Sequence, residues 1–174
     1  MRHTSVLIAV LGVLAIPALA SADLRETTAF RVDVPPTWEV QIKEAPSADG
    51  KVGSWAFVSP TRDKRMFVHI GRRRAGTLAQ VWDAFIGERL AQTLRHIKVE
   101  GFHEKVHGPV EVGIGFLYAA GRRIKTGQLY KYAVLAIRDS RKDRMAYVAL
   151  GGTEKHWGEA LARLDTILQT LELK

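Results

Sequence analysis

The chain has 174 residues, with 26 lysines and arginines against 18 aspartates and glutamates, and no cysteine. The absence of cysteine excludes disulfides, a thiol nucleophile, thiolate metal ligands and a lipidated N-terminal cysteine. The length suits one ordinary domain, and the net charge of +8 favours anionic partners at low salt.

The start of the chain, residues 1–22, has the composition of a signal peptide. A basic start precedes an apolar run from Val6 to Leu19, and Ala20-Ser21-Ala22 has the small-x-small form that signal peptidase cleaves. The apolar run is shorter than the roughly 20 residues that a membrane span needs. We therefore predict cleavage before Asp23 and a soluble protein exported to the periplasm, with residues 23–174 forming a single domain.

Four segments before the middle of the chain are predicted to be strands. Apolar residues recur at every second position in residues 30–34 and 38–42, on either side of Pro35-Pro36-Thr37, which predicts a hairpin. Residues 55–58 and 66–70 flank a turn and predict a second strand pair. Within the latter segment His69 is out of phase with its apolar neighbours, so we expect it on a sheet face rather than in a ligand shell.

The spacing of apolar residues predicts a long amphipathic helix over residues 77–97. Thr77 and Gln80 have the spacing of a capping box, which marks its start. Its apolar stripe consists of Leu78, Val81, Trp82, Phe85 and Ile86.

The rest of the chain predicts a meander of strands followed by a helix. Residues 99–106, 110–120, 129–137 and 145–150 are β-rich and are separated by short turns, so we expect antiparallel pairing. A second amphipathic stripe runs from Trp157 to Leu171. The expected fold class is α+β: an antiparallel β-sheet with two amphipathic helices packed on it, one on each face, as an α/β/α sandwich.

This order of parts, opening with Phe-x-Val-x-x-Pro-x-x-Trp from Phe30 to Trp38, resembles the Mog1/PsbP-like fold, which includes small exported bacterial proteins. The resemblance covers the chain from Phe30 to its end. It implies a non-enzymatic binding protein. The opening pattern is a structural turn in that family and transfers no functional residue, and the lipid-anchoring cysteine of some bacterial relatives is missing here.

One motif suggests an alternative function. His103, Glu104 and His107 match H-E-x-x-H, in which two histidines bind zinc and the glutamate acts as general base. The mechanism requires a helix, because a strand would separate the two histidines by about 13 Å. The alternative is therefore a small zinc-dependent hydrolase or peptidase, and no other cofactor is expected.

Basic residues cluster at the predicted turns. One interpretation is that they solvate loops and protect strand edges from aggregation. The other is that they bind a partner protein or an anionic lipid or polymer of the cell envelope. Nucleic acid is not expected, since no aromatic residues interleave with the clusters. The candidate partner-binding residues are Arg72, Arg73, Arg74, Arg122, Arg123, Lys125, Arg141 and Lys142.

The four tryptophans fall on the apolar phases of their elements, which predicts core packing. A cavity between a helix and the sheet, lined by Trp82 or Trp157, would instead make the protein a small-molecule carrier. The leading hypothesis from the sequence is a non-enzymatic periplasmic protein that binds its partner through the basic loops.

Overall fold

A seven-stranded antiparallel sheet forms the centre of the structure, a computed structural model that describes residues 23–26, 30–44, 47, 52–107, 109–121 and 129–173. The predicted signal peptide, residues 1–22, lies outside the described residues, as do Arg122, Arg123 and Lys125. The strands are β1 Asp23–Glu26, β2 Phe30–Val34, β3 Glu39–Glu44, β4 Gly53–Val58, β5 Lys64–Arg72, β6 Leu94–His107, β7 Val110–Gly121, β8 Leu129–Asp139, β9 Arg144–Thr153 and β10 Glu172–Leu173. The helices are α1 Leu78–Phe85, a π-helical turn Ile86–Leu90, α2 Ala91–Thr93, a 3₁₀ turn Glu154–His156 and α3 Trp157–Thr170.

The strand order of the large sheet is β3-β4-β5-β9-β8-β7-β6, and every neighbouring pair is antiparallel. This confirms the predicted β4–β5 pair and the meander from β6 to β9. The segment from α1 to α2 carries the chain from β5 in the middle of the sheet to β6 at its edge. As a result β5 pairs with β9, a strand that comes much later in the sequence.

The predicted hairpin of residues 30–34 and 38–42 is wrong. Strand β2 belongs to a separate small sheet of order β1-β2-β10, whereas β3 pairs with β4. The backbone N–H of Trp38 donates to the carbonyl of Pro35 at 3.0 Å. The prolines therefore form a turn, as predicted, but this turn takes the chain from one sheet to the other.

The central helix begins as predicted and ends earlier. The capping box of Thr77 and Gln80 is formed in both directions. The helical segment ends at Thr93, so the prediction that it reaches residue 97 is wrong. Leu94 already pairs with Gly121 on β7, and His96 has a φ of 54°, in the left-handed region, where the pairing is irregular. Pairing with β7 gives Leu94 and Arg95 partners in the ladder that a longer helix would forgo.

Two hydrophobic cores lie on opposite faces of the large sheet. Helix α1 buries Leu78, Val81, Trp82 and Phe85 on one face, against aromatic and aliphatic residues of β8 and β9. Helix α3 buries Ala160, Leu164 and Ile167 on the other face, together with the apolar side of β2. Each fully buried large side chain contributes roughly 1.5 to 3 kcal/mol. This arrangement confirms the α/β/α sandwich with one helix on each face.

A glycine on β7 lets helix α1 approach the sheet closely. A Cβ atom at Gly115 would lie 2.2 Å from the Cζ2 atom of Trp82, which is far inside van der Waals contact. The Trp82 indole N–H donates to the carbonyl of Val134 at 2.8 Å, so the buried ring also has its polar atom satisfied. These contacts fix the height of α1 above the sheet, and with it the position of the π-helical turn that follows.

Within the described ranges, no helix combines the length and the apolar character needed to cross a bilayer.

Candidate functional site

Two of the three basic sets named from the sequence meet at one end of the large sheet. The pairing of β5 with β9 places Arg72 opposite Arg144. Next along the chain, the backbone N–H of Arg73 donates to the carbonyl of Asp143 at 3.1 Å, and its guanidinium donates to the carbonyl of Ser140 at 3.2 Å. We call this surface the basic end, and it consists of Arg72, Arg73, Arg74, Arg138, Arg141, Lys142 and Arg144.

The third set, Arg122, Arg123 and Lys125, lies outside the described residues. The described strand residues on either side of it can be compared with the basic end. Ala120 pairs with Leu129 at one end of the β7–β8 ladder, and Val110 pairs with Asp139 at the other end, next to Arg141. The ladder positions that flank the third set are therefore at the opposite end of the sheet from Arg141 and Lys142.

Part of the charge at the basic end is neutralised. Arg141 binds Asp139 through two nitrogens, at 2.9 and 2.7 Å, and these hydrogen bonds lower the pKa of Asp139 to about 2. Arg138 forms an ion pair with Glu111 and also donates to the carbonyl of Gly76 at 2.9 Å, which attaches the loop before α1 to β8.

The remaining cations of the basic end have no carboxylate partner among the described residues; they are Arg72, Arg73, Lys142 and Arg144. Arg72 and Arg73 are exposed, while Lys142 is half-buried. Nη1 of Arg144 is buried and makes no hydrogen bond to described protein atoms. The basic end therefore presents net positive charge to solvent.

A pocket of about 180 Å³ opens beside the basic end, between the sheet and the π-helical turn. Its upper wall comes from the turn and the end of α1, and its floor comes from β5 and β9. We call it the arginine pocket, and it is lined by Val52, His69, Gly71, Arg72, Arg74, Phe85, Glu88, Arg89 and Tyr147.

The floor of the arginine pocket is buried and partly aromatic. His69 is 6% exposed, and its Nδ1 lies 2.7 Å from the hydroxyl oxygen of Ser54. The ring of Phe85 stacks on that of Tyr147, with their centroids 4.3 Å apart. Burial raises the pKa of Tyr147. His69 thus occupies a sheet face, as the sequence predicted, although that face is also the floor of a pocket.

An ion pair lies at the rim of this pocket. Arg74 donates to Glu88 at 2.6 Å, and this hydrogen bond lowers the pKa of Glu88 and raises the pKa of Arg74. Glu88 and Arg89 both belong to the π-helical turn. Such turns occur mostly as short insertions in α-helices and are frequent at functional sites. Sequence reasoning missed Phe85, Glu88, Arg89 and Tyr147, and the only local signal was Gly87 within the predicted helix.

The H-E-x-x-H motif lies on strand β6 rather than on a helix. His103 faces the α3 side of the sheet, where it lines a groove with Phe116 and Trp157. Glu104 faces the α1 side, where its carboxylate accepts a hydrogen bond from the backbone N–H of Ala79 at 3.0 Å. The side chain of His107 lies outside the described part. The helical geometry that the zinc-peptidase alternative requires is therefore not present.

Within the parts of the chain that the structure describes, no group of three or more His, Cys, Asp or Glu side chains is placed to share an ion.

The tryptophans divide between the core and a surface groove. Trp38, Trp55 and Trp82 are buried, as predicted, and Trp82 does not line the arginine pocket or the groove beside α3. Trp157 is half-buried and stands edge-on to Phe116 in a groove of about 270 Å³ between α3 and strands β6 to β8. Lys131 lies over the Trp157 ring at 5.5 Å, so a cation already covers this aromatic face.

No protein-family model matches this sequence. No curated protein matches it either. Similarity appears at the level of structure. The cyanobacterial PsbP protein CyanoP from Synechocystis sp. PCC 6803 is 13% identical and has a TM-score of 0.60, with 93% of this chain and 99% of that chain covered.

Two further solved structures share the architecture. The Saccharomyces cerevisiae Ran-binding protein Mog1p is 13% identical and has a TM-score of 0.56, with 88% of this chain and 96% of that chain covered. Protein PA94 from Pseudomonas aeruginosa, also 13% identical, has a TM-score of 0.50, with 89% and 99% covered. At such low identity these matches establish the architecture alone. The chain has the Mog1/PsbP-like fold.

Proposed function

We propose that this protein is a non-enzymatic binding protein that holds an acidic partner protein or an anionic component of the cell envelope at its basic end. The observation that carries the proposal is the meeting of the Arg72–Arg73 segment with the turn that contains Lys142. These cations come from distant parts of the sequence, and pairing of β5 with β9 places them on one surface.

The interpretation that these residues only solvate loops explains this arrangement less well. Cations that serve solubility are usually interspersed with acidic residues. Asp139 and Asp143 lie in the same turn, but Arg141 already binds Asp139, and Arg72, Arg73, Lys142 and Arg144 form no ion pair within the described residues, although like charges held together repel one another. An anionic partner would relieve that repulsion on binding. Such a surface would raise the rate at which an anionic partner associates. Its affinity for that partner would fall as the salt concentration increases.

The fold is compatible with a binding role. Mog1p is described as a Ran-binding protein, so the Mog1/PsbP-like fold can present a surface to a protein partner. That partner is specific to Mog1p, and no residue of this chain is assigned to it.

We place the protein in the periplasm on the basis of its sequence. Residues 1–22 have the features of a cleaved signal peptide, as described above. Strand β1 begins at Asp23, so cleavage before this residue would leave every described strand intact. An exported protein would meet anionic lipids and polymers of the envelope, whose charge is opposite to that of the basic end.

The proposal is tested by co-sedimentation with vesicles of phosphatidylglycerol and, for comparison, of neutral phosphatidylcholine. The test variant reverses three charges of the basic end, Arg72→Glu, Arg73→Glu and Lys142→Glu. The matched control, Lys98→Glu, Lys105→Glu and Lys155→Glu, makes the same change in net charge at exposed positions on β6 and the 3₁₀ turn.

We expect the unaltered protein and the control to bind anionic vesicles, and binding to weaken as salt rises from about 50 to about 500 mM. The basic-end variant should lose most of this binding. If control and test variants lose equal amounts, only net charge matters, and the proposal fails for envelope lipid. The same variants then test an acidic protein partner by cross-linking in intact cells.

A further inference from the structure

The arginine pocket adjoins the basic end, since Arg72 and Arg74 belong to both. Sites for drug-sized ligands commonly have volumes of about 300 to 1,000 Å³. At about 180 Å³ this pocket is smaller than such sites. The pocket therefore fits one small polar group, while the remainder of a larger ligand would lie outside it.

The charge of the lining favours a doubly negative group. Three arginines and one glutamate give a formal net charge of +2. A carboxylate carries one negative charge, and one guanidinium can saturate it through a bidentate pair. A phosphate monoester carries between one and two negative charges near neutral pH and has three oxygens that can accept from several guanidinium groups at once.

The surroundings strengthen such binding. Phe85 and Tyr147 form an aromatic wall on one side, and His69 is buried beneath it with Ser54 as its partner. Charge-assisted hydrogen bonds are stronger next to apolar walls, because the local dielectric constant is lower than that of water. The pocket thus combines several cationic donors with a partly desolvated floor.

We propose that the arginine pocket binds the phosphate of a phosphomonoester, with the rest of the ligand lying over the basic end. This inference rests on the proposed function, because the basic end must first attract an anionic partner. It adds a specificity that a simple basic surface lacks: a terminal phosphate is preferred to a phosphodiester, whose single negative charge is flanked by two ester groups.

Glu88 limits this binding in the structure. Its carboxylate forms an ion pair with the guanidinium of Arg74, at a distance of 2.6 Å. An incoming phosphate therefore competes with Glu88 for that guanidinium. Removing the negative charge of Glu88 should therefore strengthen phosphate binding. A variant that gains affinity also separates a ligand site from a merely structural cluster, because loss of folding cannot produce a gain.

The test measures calorimetric binding of glycerol 1-phosphate, inorganic phosphate and uncharged glycerol to the purified protein. Vesicles that contain phosphatidic acid, a phosphomonoester lipid, are compared with vesicles that contain phosphatidylglycerol, a phosphodiester lipid. The variants are Arg89→Gln within the pocket, Glu88→Gln at its rim, and Lys98→Gln on β6 as a control that removes an exposed cation outside both the pocket and the basic end. Circular dichroism verifies that each variant is folded.

We expect glycerol 1-phosphate to bind and glycerol not to bind. Arg89→Gln should weaken binding about tenfold or more, the usual effect of losing one charge-assisted contact, whereas Glu88→Gln should tighten it and Lys98→Gln should leave it unchanged. Preference for phosphatidic acid vesicles over the soluble phosphates identifies a lipid head group as the source of the phosphate. The opposite preference identifies a soluble phosphomonoester.

Two results overturn the inference. One is the absence of binding to both soluble phosphates together with equal binding to the two kinds of anionic vesicle, in which case the basic end still functions and only the pocket assignment fails. The other is an equal loss with Arg89→Gln and Lys98→Gln, which means that the phosphate is attracted by general charge. If no anionic vesicle binds either, the proposed function fails for envelope lipid as well.

Discussion

The carboxylate of Glu104 on β6 accepts a hydrogen bond at 3.0 Å from the backbone N–H of Ala79, in the first turn of helix α1. The first N–H groups of a helix have no partner within it, and a negative charge near them interacts favourably with the helix dipole. The glutamate of the H-E-x-x-H motif therefore stabilises the start of α1 and attaches it to the edge of the sheet.

Replacing this glutamate should reduce stability. We expect Glu104→Ala to lower the free energy of unfolding by about 0.5 to 1 kcal/mol, because one helical N–H loses its acceptor and a charge near the dipole is removed. Glu104→Gln keeps an acceptor oxygen and should cost less. Urea denaturation measures both values, and Lys105→Ala at an exposed neighbouring position should change stability by less than about 0.5 kcal/mol. Equal losses for Glu104→Ala and Lys105→Ala would contradict the assigned role.

The zinc hypothesis makes a separate and measurable claim. His103 faces the groove beside Trp157, on the opposite side of the sheet from Glu104. We therefore expect elemental analysis of the purified protein to show far less than one zinc per chain, unchanged in His103→Ala and after dialysis against a chelator. About one zinc per chain that disappears in His103→Ala would establish a metal site and require a different conformation of β6.

The large elements of the fold could be predicted because apolar periodicity is a local property. The alternating segments became β2 and β3, the β-rich segments became β4, β5 and the meander, and the two stripes of helical spacing became α1 and α3. The hairpin of residues 30–34 and 38–42 was wrong because alternation shows that a segment is a strand without showing its partner. The partner of Phe30 is Leu173 on β10, near the other end of the chain.

The end of the central helix was missed for a similar reason. Leu90, Leu94 and residue 97 recur at helical spacing. The same spacing also occurs when the later apolar residues belong to the start of a strand. Pairing of Leu94 with Gly121 decides between the two, and that contact joins positions too far apart for any local pattern to reveal.

The candidate site was predicted in part. Arg72–Arg74 and Arg141–Lys142 were named as basic loops, but their position on one surface depends on the register of β5 with β9. Glu88 and Arg89 could not be assigned to a pocket, since a π-helical turn shifts side chains relative to the α-helical positions that the sequence predicts. The sequence correctly predicted that His69 lies on a sheet face. It held no local signal that a pocket lies above this face.

Two glycines should respond in opposite ways to the same substitution. Gly115→Ala should destabilise the protein by about 1 to 3 kcal/mol, because its Cβ would lie 2.2 Å from a buried atom of Trp82. A Cβ at Gly87 meets nothing within 4 Å on the exposed side of the π-helical turn. Gly87→Ala should therefore stabilise by up to about 1 kcal/mol, since alanine loses less backbone entropy in a helical conformation. Thermal denaturation of both variants checks the two signs, and stabilisation by Gly115→Ala would contradict the close packing of α1 on β7.

The turn between β4 and β5 should make stability depend on pH in the acid range. The hydroxyls of Thr61 and Ser59 donate to the carboxylate of Asp63 at 2.6 and 2.7 Å, and His156 lies 3.2 Å away at the start of α3. The hydrogen bond from Thr61 is the largest cause of a pKa of about 2 for Asp63, below its ordinary value of 3.8.

Because this pKa is lower in the folded than in the unfolded protein, the stabilisation from Asp63 is fully present above pH about 4 and is lost as the pH falls towards 2. We expect the difference in unfolding free energy between the unaltered protein and Asp63→Asn to be constant from pH 7 to about 5 and to shrink steadily between about 4 and 2. Thr61→Ala removes the main donor, so it should raise the pKa of Asp63 and move the loss of stability to higher pH. Denaturant unfolding at closely spaced pH values measures these differences.

A difference between the unaltered protein and Asp63→Asn that stays the same down to pH 2 would show that the folded state does not favour the ionised carboxylate. The contacts of Asp63 with Thr61, Ser59 and His156 would then contribute to the shape of the turn and not to its dependence on pH.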